Sequence, residues 1–98
     1  MDIDEEINKN KEIRNKILKT LYKDTQKNPR NYLKRGELEA KTGIDGNKLD
    51  QEVLFLRDKG YLEIITHSEV YFQATRITSL GREYVENQTF TVGDWSKW

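Results

Sequence analysis

Two amides one helical turn apart, Asn47 and Gln51, flank Lys48 in the segment from Gly46 to Lys59. Asn and Gln are the side chains that can bond adenine through two contacts at its major-groove edge, while Lys reaches guanine or a phosphate. Lys34 and Arg35 enter the preceding helical segment, with Arg30 just upstream. Cationic heads there suit phosphate oxygens, as do a helix's own first N–H groups. No comparable set exists for bond-breaking chemistry. His67 is the sole histidine, cysteine is absent, and no Ser or Lys stands at the spacing of an activated nucleophile. Gly36, Gly43, Gly46, Gly60 and Gly81 are spaced as helix punctuation, not as a phosphate-cradling loop. Asp2, Asp4, Glu5 and Glu6 read as helix-start chemistry. The expectation is a binding protein, not an enzyme, with no cofactor and no metal.

The elements that must position those residues are legible from spacing. Leu49, Val53 and Leu56 recur at i, i+4 and i+7, which gathers them within a narrow arc of one helix face. With that arc inward, Asn47, Gln51 and Asp58 point outward, and Lys48 and Glu52 lie on the flank. Gly43 can take the left-handed conformation that ends a helix, and Asp45 offers an N-cap oxygen to the next one. Gly60 ends that helix, and Tyr61–Ile65 has the β-branched and aromatic content of a strand.

Leu38, Thr42-Gly43, Leu49, Val53, Leu56, Lys59-Gly60-Tyr61-Leu62 and Ile77-Thr78-x-x-Gly81-x-x-Tyr84 together resemble the winged helix-turn-helix superfamily over roughly residues 13–86. The likeness is to a small single-domain member of the prokaryotic or archaeal type. It implies an α+β, mostly helical winged helix. Its parts would be a three-helix helix-turn-helix core, a short β-hairpin wing, a C-terminal helix and an aromatic tail. The superfamily binds DNA, RNA or proteins, so the resemblance specifies architecture far more narrowly than function.

Along the chain, a first helix is expected from about Asp4 to Lys27. Ile7, Ile13, Ile17, Leu18, Leu21 and Tyr22 share one side of it, and Lys9, Lys16, Lys19, Lys23 and Lys27 the other. That lysine stripe is either a phosphate-facing surface or an ordinary solvated face. Pro29 stops the helix, and Tyr32-Leu33 can form a short strand joining the sheet. Strands at 61–66 and 70–77 are expected around a tip of His67-Ser68-Glu69. Of Tyr71 and Phe72, which are adjacent, one must face outward or meet the tail. Thr78 suits an N-cap for a last helix through about Asn87, with Leu80, Tyr84 and Val85 inward. Residues 1–87 thus form one domain, and 88–98 a tail carrying Phe90, Trp95 and Trp98.

Charge refines the reading. Seventeen basic and seventeen acidic residues cancel. Residues 1–8 carry four acids and no base, residues 9–35 carry ten bases and two acids, and the remainder is acidic by four. Asp45, Asp50, Glu52 and Asp58 outnumber the bases beside the reading amides and are expected to repel phosphates. Leu54 stands off the inward arc, where the superfamily usually carries a polar residue. Two readings follow. One is a cytoplasmic DNA-binding transcriptional regulator, a dimer on double-stranded DNA, using Arg30, Lys34, Arg35, Asn47, Lys48 and Gln51. The other is a protein-interaction or dimerisation module that binds no DNA, using Leu54, Phe90, Trp95 and Trp98. No segment has the apolar length of a membrane span or the apolar core of a signal peptide.

Overall fold

Local capping chemistry sets the first helix. Asp2 accepts the Glu5 N–H at 3.0 Å, and acids in the first turn with Lys27 in the last complement the helix dipole. The computed structural model describes residues 2–67 and 71–91. Its elements run α1 (Ile3–Lys27), β1 (Leu33–Lys34), α2 (Arg35–Thr42), α3 (Gly46–Asp58), β2 (Leu62–Ile65), β3 (Ala74–Ile77) and α4 (Ser79–Thr91). The chain is α+β and mostly helical.

The turn between α2 and α3 forms as its residue types dictate. Gly43 takes φ +71° and returns its N–H to the Glu39 carbonyl at 2.8 Å. The Asp45 carboxylate accepts the Asn47 N–H at 3.2 Å. Leu49, Val53 and Leu56 then point into the core, each at most 2% exposed. Burial of side chains of this size stabilises the fold by about 1.5–3 kcal/mol apiece. Gly60, at φ +84°, turns the chain from α3 into the sheet.

The sheet has the order β1-β3-β2, antiparallel throughout. Leu33 pairs with Thr75 and Leu62 with Ile77. The middle strand is fully engaged: buried Thr75 donates its hydroxyl to the Glu63 carbonyl at 2.8 Å. Leu62, Phe72 and Ile77 face a core completed by Ile17, Leu18 and Leu21 of α1, Leu38 of α2, the three α3 residues and Val85 of α4. Thr78 caps α4, accepting the Gly81 N–H at 3.1 Å while its own hydroxyl donates to the Gly60 carbonyl at 2.6 Å.

Several expectations need correction. The strands are shorter than 61–66 and 70–77, and α4 runs to Thr91 instead of stopping near Asn87. Leu80, expected inward, is half exposed, and Tyr84 stays on the surface, stacked on Tyr61 at 4.8 Å. Ile7, expected on the packed side of α1, is 44% exposed. The Tyr71-Phe72 ambiguity resolves with Phe72 buried and Tyr71 outward. Ser68 and Glu69 of the expected hairpin tip lie outside the described residues.

Candidate nucleic-acid interface

Helix α3 has one face committed to the core and one facing solvent. Asn47 and Gln51 are exposed on the latter, Leu54 is half-buried, and Phe55 and Asp58 are exposed further along. The two amides therefore stand free, at the N-terminal end of a helix held from behind by Leu49 and Val53.

Two of the acids expected to repel phosphates are buried instead. The Asp50 carboxylate receives two contacts from the Arg35 guanidinium, Nε to Oδ1 and Nη2 to Oδ2, both 2.9 Å. That fork–fork geometry fits a planar cation to a planar anion. Hydrogen bonding to Asp50 raises the Arg35 pKa further above its ordinary range, against the opposing effect of burial. Arg35 passes close over Gly46, where an added Cβ would meet its Nη2 at 2.6 Å. Glu52, only 4% exposed, accepts from Arg14 of α1 and holds Lys48 at 3.3 Å. Asp58 pairs with its neighbour Arg57 at 3.0 Å. The acids of α3 are thus paired within the protein, Asp50 with Arg35, Glu52 with Arg14 and Lys48, and Asp58 with Arg57. That pairing engages Arg35 and Lys48, two of the cations expected to meet phosphate.

The remaining candidate cations lie to the side. Lys34 and Arg30 are exposed, Lys34 on the β1 edge strand and Arg30 in the connector after α1. Lys23, Lys27 and Lys41 converge on a shallow depression of about 260 Å³ between α1 and α2, which also holds Asp24. On the hairpin, Arg76 is engaged by Glu63 at 2.9 Å and lies 4.7 Å from the Tyr32 ring centroid. The Arg76 and Tyr32 hydrogen bonds hold the Glu63 carboxyl below the usual glutamate range, with partial burial opposing.

A second surface opens between α1, α3 and α4. The Arg14 guanidinium lies 3.8 Å from the Phe55 ring centroid, with Lys59 at 5.6 Å. The Tyr61–Tyr84 stack lines this groove, which has a volume of about 450 Å³ and also takes in Gln88. Leu54, expected to meet a partner in the protein-interaction reading, is half-buried within the chain. Trp95, Trp98 and the side chain of Phe90 lie outside the described residues.

The Arg35–Asp50 and Arg14–Glu52 pairs have no signature in the sequence. Their partners stand 15 and 38 residues apart, so helical spacing carries no signal for them. Among the described residues there is no cluster of three or more potential metal ligands and no helix long and apolar enough to cross a membrane. Compared with known families, characterised proteins and solved structures, the chain matches none.

Proposed function

We propose that this chain is a winged-helix protein that binds double-stranded DNA and regulates transcription in the cytoplasm, with α3 as the helix that enters the major groove. The observation that carries the reading is the pair of exposed amides, Asn47 and Gln51, on a helix whose Asp50 and Glu52 are buried and charge-compensated. In this reading Asn47 and Gln51 contact base edges, with Lys34 and Arg30 on phosphates and β2–β3 as the wing. Arg35 acts as a positioning residue, holding α2 against α3. Lys48 reaches DNA by exchanging Glu52 for phosphate. The protein binds without catalysing a reaction and needs no cofactor.

Fluorescence anisotropy with mixed-sequence duplex DNA, repeated at rising salt, tests this. Binding is expected at low salt and should weaken as salt displaces the phosphate contacts. No binding even at the lowest salt removes the proposal.

A second reading is favoured by one observation, the exposed Phe55, Tyr61–Tyr84 stack and Leu80 along one side. Aromatic surface of this kind is enriched where proteins meet one another. A protein partner held there, with no DNA binding, is the outcome that negative anisotropy would favour.

A further inference from the structure

Helical spacing collects one set of side chains into the groove between α1, α3 and α4. Lys11 and Leu18 of α1 stand at i and i+7, a full two turns apart on one face. Phe55 of α3 is one turn from Lys59, the C-cap residue of that helix, and Tyr84 of α4 is one turn from Gln88. Leu18 and Leu56 are buried and give the groove an apolar floor. Phe55 and Tyr84 each keep more than a third of their surface in water, and Tyr61 stacks on Tyr84 beside them. Three rings over two leucines are thus left open to one side.

The charge of the lining has a single sign. Among the described residues the groove is lined by Lys11, Arg14 and Lys59 and by no carboxylate. Arg14 is already committed, bonded to Glu52 and lying over the Phe55 ring. Lys11 and Lys59 are not: both are exposed, and neither has an acidic partner among the described residues. They reach the groove from different helices, so an anion between them gains from both. A cleft with one sign of charge and low-dielectric walls focuses potential and gathers counter-ions. The rings narrow the choice further, because a planar aromatic partner gains from stacking beyond the area it buries. The volume of about 450 Å³ is that of a site for a small molecule.

We infer that this groove binds a small aromatic anion, one or two fused planar rings bearing a carboxylate. The rings lie against the Tyr61–Tyr84 stack over Leu18 and Leu56, and the carboxylate meets the ammonium groups of Lys11 and Lys59. The site uses neither Asn47 nor Gln51, so the inference stands apart from DNA binding. A protein partner on the same side is the occupant that a negative result would favour.

Titration of the isotope-labelled full chain with naphthoate, followed by amide shifts in NMR spectra, tests it. The expected result is a set of saturable shifts clustered around Lys11, Phe55, Lys59 and Tyr84. Naphthalenemethanol keeps the rings without the charge, and cyclohexanecarboxylate keeps the charge without the rings. Each should bind about tenfold more weakly than naphthoate, or worse. Lys11→Gln/Lys59→Gln should lower naphthoate affinity by about tenfold or more, with the amide spectrum away from the groove unchanged. Naphthoate that produces no saturable shift, or shifts scattered over other surfaces, overturns the inference. So does a neutral or a non-aromatic analogue that binds as well, or a double variant that holds naphthoate as the parent chain does.

Discussion

Arg35 of α2 and Asp50 of α3 face each other through two parallel contacts of 2.9 Å, and this pair ties α2 to α3 beside the face on which Asn47 and Gln51 stand exposed. Asp50 is nearly buried while the Arg35 side chain is 36% exposed, so the two partners have unequal consequences when removed. Arg35→Ala leaves a carboxylate with little water and no partner. It is expected to destabilise the fold by about 1–3 kcal/mol in urea unfolding. A double-mutant cycle with Asp50→Ala should assign only about 1 kcal/mol to the pair itself, because solvent screens the exposed guanidinium. Arg35→Lys keeps the charge but not the fork, and should recover less than half of the loss.

Two glycines should respond to alanine in opposite directions. Gly36 lies within α2 with nothing near its missing Cβ. Gly36→Ala is expected to raise stability by about 0.5–1 kcal/mol, by restricting the unfolded chain. At Gly81 a Cβ would collide with the Tyr61 carbonyl oxygen and with Ile77. Gly81→Ala should therefore cost about 1–3 kcal/mol or more, as α4 is forced off the sheet. Denaturant midpoints measured side by side decide both.

Acid should weaken the hairpin's outer face through Glu63. Its folded-state pKa lies below the unfolded value, so its contribution is present above the unfolded glutamate pKa and is lost as pH falls through the folded one. The group is half exposed, which keeps the effect small. Thermal unfolding followed from neutral to acidic pH should show a shallower acid-side decline for Glu63→Gln than for the parent chain. Tyr22 gives the opposite limb. Its hydrogen bond to Glu86 raises its pKa, so its contribution is present below the unfolded tyrosine pKa and lost as pH rises through the folded one.

For DNA binding, the exposed amides separate recognition from stability. Asn47→Ala and Gln51→Ala should leave unfolding within about 0.5 kcal/mol of the parent. Each should nonetheless remove about 1–3 kcal/mol of discrimination between a preferred site and a scrambled duplex. Lys34→Ala should weaken binding to both duplexes alike and lower the salt-dependence slope by about one. Competition anisotropy at two salt concentrations reads all three.

The parts of the fold written in local spacing were legible: the Leu49-Val53-Leu56 arc, the left-handed Gly43, the Asp45 and Thr78 caps, and the outward amides. Each is decided within a few residues along the chain. The parts that escaped depend on what lies across the fold. Asp50 and Glu52 have the composition of solvated acids and are buried because Arg35 and Arg14 arrive from α2 and α1. Leu80 has the side chain of a core residue, but α4 meets the body at Gly81, close against Tyr61, and at Val85, which leaves Leu80 half exposed. Ile7 is exposed because α1 outruns the body it packs on.

The strand order carries a consequence for synthesis on the ribosome. β3 lies between its neighbours, yet it is the last of the three to be made, about forty residues after Leu33, to which its Thr75 pairs. Until it emerges, the edges of β1 and β2 have no mate, and only the helices can gather around Ile17 and Leu49. A nascent chain halted before Ala74 would therefore carry a helical nucleus with two unmatched backbone ribbons, the state in which this protein is most open to chaperones and to wrong pairing.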